Sequence, residues 1–354
     1  MSRFFSKKYE KLTPYTPGEQ PRERKYIKLN TNESPFPPSK KAIEGAAEAA
    51  QNLQLYSDPT CKVLHEKLAE VLEVSPDEVL CTNGSDEILN FAFMAFCDDD
   101  HPAAFADITY GFYSVFAELN RVPYDVIPLR DDFSIGVEDY VGIGKTVFIA
   151  NPNAPTGIAL SPMEIEKILA SNPDNVVVID EAYVDFGAES CIPLIRKYKN
   201  LLVTGTFSKS RSMAGARLGF GVACPELIAD LNTVKYSTNP YNVNAMTMAA
   251  GIGMLADEEA TEKNCATVAE NREYAAKELK ELGFRMTESK ANFLFAMHPQ
   301  VDGETVYKKL REKGILVRHF NAPRIAAYNR ITVGTREQMD ALIDALKQIL
   351  EENQ

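Results

Sequence analysis

The stretch Asn175-Val-Val-Val-Ile-Asp-Glu-Ala-Tyr183 carries a β-branched run, Val176 to Ile179, that presents no polar face. A strand of that kind is stable only when covered on both sides, the situation of a parallel sheet between two layers of helices. Leu201-Leu202-Val203 repeats the pattern one βαβ unit later. Val79–Thr82, Ala103–Ala106 and Thr146–Ala150 are further short apolar runs, each followed by a polar or turn-forming segment. The expected fold is α/β, with a mostly parallel central sheet and helices on both faces. Open sheets of this type bind ligands beyond the carboxyl ends of their strands. Residues standing there are the first candidates for function.

Asp180 ends the first run. Beyond the second, Thr204-Gly-Thr-Phe-Ser-Lys-Ser-Arg-Ser-Met-Ala-Gly-Ala-Arg217 places Thr206, Ser208, Lys209 and Arg217 in one segment. An amine flanked by hydroxyls and a guanidinium suits a lysine that carries pyridoxal phosphate (PLP). The amine serves the reacting carbon, while Arg217 and the hydroxyls serve the phosphate. Asp180 is the carboxylate that keeps a pyridine nitrogen protonated, and Tyr183 stands within reach of the ring's phenolic oxygen. Taken singly, Lys209 would pass for a solvated loop lysine and Asp180 for a turn aspartate. Both together at neighbouring strand ends favour the cofactor. Strand Val79–Thr82, then Asn83-Gly84-Ser85 and a helix from Asp86, adds an anion site. The free amides of a first helical turn point at a phosphate, and those of Ser85 and Asp86 are assigned to it.

Around these residues lie Leu29-Asn-Thr-Asn-Glu-Ser-Pro35, Tyr56-Ser-Asp-Pro59, Asn83-Gly-Ser-Asp-Glu87, Asn151-Pro-Asn-Ala-Pro-Thr-Gly157, Pro240-Tyr-Asn242, Gly314-Ile-Leu-Val-Arg-His-Phe320 and Arg330-Ile-Thr-Val-Gly-Thr335. With Asp180–Tyr183 and Ser208-Lys209…Arg217 they follow a family's order over nearly the whole chain. The chain resembles fold-type I PLP aminotransferases, and most closely the histidinol-phosphate aminotransferase family. The resemblance implies a large PLP-binding domain and a smaller α/β domain. It implies that Lys209 is the catalytic lysine and that Tyr110 stacks on the pyridine ring. Tyr56 is then a residue that crosses a dimer interface to the partner's cofactor phosphate, making a homodimer with shared sites. Arg330, assisted by Arg318, binds the substrate's α-carboxylate or a phosphate in its place. Tyr15 reaches toward substrate, and Asn242 lies at the active-site edge.

The implied reaction is transamination of L-histidinol phosphate with 2-oxoglutarate, giving imidazole acetol phosphate and glutamate in histidine biosynthesis. Two enzymatic alternatives stay open: an aromatic amino acid aminotransferase, and a PLP-dependent decarboxylase of a phosphorylated amino acid. A PLP-sensing regulator would need a DNA-binding extension, for which the short N-terminal arm leaves no room. The sequence departs from the family at Ala154, where asparagine commonly donates to the cofactor's phenolic oxygen. That leaves the bond to Tyr183, alone or with Asn153.

A chain of 354 residues accommodates two domains. Residues 1–38 read as an arm belonging to the small domain, 39–243 as the cofactor domain and 244–354 as the small domain proper. Its last helix is marked by Met339, Leu342, Ile343, Leu346 and Ile349, with Thr335 as N-cap. A formal net charge of −12 argues against nucleic acid or an anionic membrane as partner. It also requires that anionic substrates be captured by local cations, and Arg318, His319, Arg324 and Arg330 crowd into one short segment. Six scattered cysteines and four unpaired histidines make neither a disulfide framework nor a metal site. No apolar run nears the ~20 residues of a membrane span. The amino terminus has no secretory h-region, so a cytoplasmic location is expected.

Overall fold

The computed structural model describes residues 2–10 and 12–353. The apolar runs form the strands Val79–Thr82, Ala103–Ala106, Thr146–Ala150, Val177–Asp180 and Leu201–Thr206. Tyr124–Ile127 and Gly219–Ala223 complete a seven-stranded sheet. From edge to edge its order is Val79–Thr82, Gly219–Ala223, Leu201–Thr206, Val177–Asp180, Thr146–Ala150, Ala103–Ala106 and Tyr124–Ile127. All pairings are parallel except the two made by Gly219–Ala223. Asp180 pairs in register with Ala150, which aligns the carboxyl ends of those two strands, and with Thr204 of Leu201–Thr206, which runs two residues further.

Each central strand feeds two cores. Val177 and Ile179 pack with Ile165, Ile168 and Leu68, whereas Val178 packs with Ile88, Phe93 and Leu231 on the opposite face. This two-sided burial is why the strand carries no polar face. Tyr124–Ile127 is different: Asp125 and Val126 are exposed at the sheet edge. A strand wetted on its outer side carries no uniform apolar signal, so sequence patterning passes over it.

A second sheet is antiparallel, in the order Arg318–His319, Asn329–Thr332, Phe293–Met297 and Arg285–Met286. Helices Glu258–Glu281 and Arg336–Glu351 pack with it in a separate core that includes Ala275, Phe293, Ile331 and Leu342. Thr335 caps the last helix through a capping box with Gln338. The N-terminal segment is tied to this part of the chain, because Ile27–Lys28 pairs in parallel with Ile315–Leu316.

Helix Ala245–Leu255 falls within the 244–354 segment, yet Ala250, Met254 and Leu255 join the core that holds Ala42 and Leu64. It crosses helix Lys40–Ala49 at glycines. A Cβ on Gly253 would stand 2.4 Å from the Lys41 carbonyl oxygen, closer than atoms can approach. Gly253→Ala is therefore expected to destabilise the protein by about 1–3 kcal/mol, as overpacking does. Urea unfolding measures this directly, and an unchanged midpoint would show that the crossing has slack.

Candidate active site

Lys209 stands just beyond strand Leu201–Thr206 and lines a cavity of about 260 Å3 with Asp180, Tyr183, Ser208 and Arg217. Its Nζ donates to the Thr31 carbonyl oxygen at 3.1 Å. Burial, reinforced by the nearby Arg330 cation, lowers the amine from its ordinary range to about 8, against the pull of Glu33 and Asp86. An amine in that range is neutral often enough to act as nucleophile or base near neutrality.

Asp180 is buried at the end of its strand. Tyr113 Oη donates to Oδ2 at 3.1 Å and Thr204 Oγ1 to Oδ1 at 3.2 Å. Burial pushes the carboxyl up to about 6, although these two hydrogen bonds pull it down. The environment therefore calls for a cationic partner on the cavity side. Tyr113 and Thr204 are partners of Asp180 that local sequence does not mark. Tyr113 sits on helix Phe112–Asn120 and meets Asp180 only through the fold.

The phosphate end is built from several elements. Helix Ser85–Phe96 starts after Gly84, whose φ of +79° favours glycine. A Cβ there would stand 2.4 Å from Arg217 Nη2, so the guanidinium lies directly over the helix start. Arg217 pairs with Asp86 at 2.9 Å and reaches Ser208 Oγ at 3.4 Å. Ser208 Oγ also accepts from Thr206 Oγ1 at 3.0 Å. Tyr110 donates to Asp86 at 2.5 Å and lines the cavity between this end and Asp180.

A second cavity, about 320 Å3, shares Lys209, Tyr183, Tyr110 and Ala154 with the first. Arg330 and Arg318 also line it. Arg330 lies between the Phe293 and Phe320 rings, 5.4 and 5.9 Å from their centroids. Its Nη2 donates to the Asn30 carbonyl oxygen at 3.2 Å, and its Nε is buried with no partner among the described residues. A largely buried guanidinium that lines a cavity and has no ion pair among the described residues fits an anionic ligand. Tyr15 completes the wall, stacked on Phe112 at 4.2 Å. Arg318 donates to the Thr16 and Pro17 carbonyls, which fastens the arm there.

Other residues singled out from sequence lie elsewhere. Arg324 pairs with Asp107 at 2.7 Å and donates to the Leu129 and Arg130 carbonyls, so its charge is engaged away from the cavity. His319 stacks on Tyr307. Asn242 is buried, and its amide donates to Glu87 at 2.6 Å instead of lining either cavity. Tyr56 is 84% exposed and stacks on Tyr241 at 4.6 Å, outside both cavities of the single chain. Asn153 ties its loop to the one after Ala103–Ala106: Nδ2 donates to the Ile108 carbonyl and Thr156 Oγ1, and Oδ1 accepts from Thr109. Ala154 lines both cavities and offers no hydrogen bond. Tyr183 is thus left as the donor of the pair considered from sequence.

These residues fit PLP. A helix start and a guanidinium, a buried carboxylate short of a cationic partner and a lysine with a lowered pKa line one cavity. The apoprotein should then capture PLP at a rate that rises with pH through about 8 and levels off above it. An ordinary lysine would drive the rise on toward about 10.4. Stopped-flow absorbance distinguishes the two, and a rise continuing past pH 9.5 would contradict this environment for Lys209.

Residues 24–346 match the family model "Aminotransferase class I and II". A histidinol-phosphate aminotransferase of Acinetobacter baumannii is 48% identical over 350 residues, 98% of this chain and 97% of that protein. The protein of the same name from Clostridium acetobutylicum is 44% identical over 99% of this chain and all of its own. Among solved structures, a Clostridium acetobutylicum histidinol-phosphate aminotransferase superposes with a TM-score of 0.85 at 23% identity, over 92% of this chain and 99% of that one. L-threonine-O-3-phosphate decarboxylase from Porphyromonas gingivalis does so with 0.77 at 22%, over the same shares. At such identities the structures speak for the fold alone. The chain belongs to the class I and II aminotransferase family.

Proposed function

We propose that this enzyme transfers the amino group of L-histidinol phosphate to 2-oxoglutarate, yielding imidazole acetol phosphate and glutamate. One observation carries the reading. Lys209 lines two cavities, one shared with Ser208 and Arg217, which suit a phosphate, and one lined also by Arg318 and Arg330. The names of relatives 44–48% identical over nearly the full length support the same substrate.

PLP, when bound, supplies the electron sink that makes the substrate Cα–H acidic and carries the amino group between the two half-reactions. The chain's residues do the rest. The Ser85 and Asp86 amides, Ser208 and Arg217 hold the phosphate. Asp180, oriented by Tyr113 and Thr204, keeps the ring nitrogen protonated. Tyr110 covers the ring and excludes water. Tyr183 donates to the phenolic oxygen. Lys209 Nζ removes the proton from the substrate Cα as general base. Arg330, with Arg318, holds the substrate phosphate or the carboxylate of the oxo acid in a planar fork, and Tyr15 closes the wall beside them.

The active form is proposed to be a homodimer in the cytoplasm. The exposed Tyr56–Tyr241 stack, with Leu53 and Leu55 exposed nearby in sequence, is a surface suited to a second copy. Tyr56 would there reach the other copy's cofactor phosphate. Asn242 has no proposed contact with substrate beyond its place at the edge of that surface. The arm 1–38 and the C-terminal segment form the small domain, with the division from the large domain placed after helix Ala245–Leu255. Among the described residues no helix is long and apolar enough to cross a membrane.

An absorbance titration of the yellow enzyme, with no oxo acid present, tests the substrate. Histidinol phosphate should bleach the cofactor band at concentrations at least tenfold below tyrosine or phenylalanine, about 1.4 kcal/mol of preference. Preference for the aromatics would transfer the assignment to an aromatic amino acid aminotransferase. Release of CO2 without need of an oxo acid would transfer it to a decarboxylase.

A further inference from the structure

Tyr183 is the donor left to the cofactor's phenolic oxygen, and a phenol has one hydrogen to give. Which way it points is decided by the groups behind it. Asn32 Nδ2 lies 3.0 Å from Tyr183 Oη, and both residues are buried. We propose that Asn32 is a positioning residue, locked by Thr332 so that it donates to Tyr183 and leaves the tyrosine hydrogen free for the cavity.

The argument runs along a chain of donors whose first member has no choice. The backbone N–H of Asn32 can only donate, and it donates to Thr332 Oγ1 at 2.9 Å. The Thr332 hydroxyl, having accepted there, gives its own hydrogen to Asn32 Oδ1 at 3.0 Å. In that contact the amide stands with its oxygen toward Thr332 and its nitrogen toward Tyr183. An amide nitrogen only donates, so Tyr183 Oη accepts, and its hydrogen turns to the side that lines both cavities.

The local fold holds this arrangement. Asn32 takes a φ of +56°, a left-handed conformation that asparagine tolerates better than most side chains. Its carbonyl oxygen accepts from Asn292 Nδ2 at 3.0 Å. Thr332 belongs to the same strand as Arg330, so the element that presents the substrate arginine also sets the cofactor's tyrosine. Burial raises the Tyr183 phenol, and the Asn32 donation works against it, which makes the phenol a better donor.

This inference rests on the proposed role of Tyr183, and the test separates the two. Asn32→Asp puts an acceptor where the donor stood, so Tyr183 turns its hydrogen away from the cofactor. The phenolic oxygen loses its donor, and the pH midpoint of the bound cofactor's visible absorption should rise by about one unit. Tyr183→Phe should raise it by as much or more. In the Tyr183→Phe background, Asn32→Asp should add less than 0.3 unit (roughly the additivity error of such cycles). Thr332→Val, which frees the amide to flip, should shift the midpoint in the same direction by a smaller amount, and serves equally if the aspartate variant fails to fold. An unmoved midpoint in Asn32→Asp and Thr332→Val, with Tyr183→Phe shifted, overturns the role of Asn32 alone. A shift that persists in the Tyr183→Phe background overturns it too. An unmoved midpoint in Tyr183→Phe overturns the role of Tyr183 itself.

Discussion

Desolvation of two ionisable groups shapes this molecule. Asp180 and Lys209 are held at the ends of adjacent parallel strands, and burial makes the charged form of each unfavourable. The carboxyl is pushed up to about 6 and the amine down to about 8. Neither is paired with the other. A protonated pyridine nitrogen and an electrophilic carbon are the partners these perturbations suit, so binding PLP relieves both at once. The sheet makes this possible, because strands covered on both faces hold their ends rigidly where water is scarce.

Anion capture follows from the same economy of local groups. A chain of net charge −12 repels anionic ligands at long range. The cations are therefore concentrated at the cavities: Arg217 over a helix start and paired with Asp86, Arg330 beside two phenylalanines with no ion pair among the described residues. Arg324, equally basic on paper, is consumed by Asp107 and two carbonyls and serves to clamp the loop before Arg330. Proximity in sequence does not distinguish the two uses of arginine. Only the fold does.

The central strands were legible because burial on both faces leaves an unbroken apolar run, as in Val177–Ile179. The edge strand Tyr124–Ile127 was not, since its solvent side carries Asp125. The strands' end residues, Asp180 and Lys209, could be read because they stand beside such runs. Their supports could not. Tyr113 reaches Asp180 from another element, and Asn32 reaches Tyr183 across 151 positions of chain. Contacts of that separation leave no periodicity and no spacing in the sequence. Ile27–Lys28 pairs with Ile315–Leu316, a tie between distant parts of the chain of which composition alone gives only a weak hint.

The covalent attachment point is the claim on which the rest hangs. Borohydride reduction of the yellow enzyme, followed by proteolysis and mass spectrometry, locates it directly. The account predicts one phosphopyridoxyl group per chain, on the peptide that contains Lys209. A modified peptide lacking Lys209, or an unmodified chain after the yellow colour has been bleached by the reductant, would contradict it.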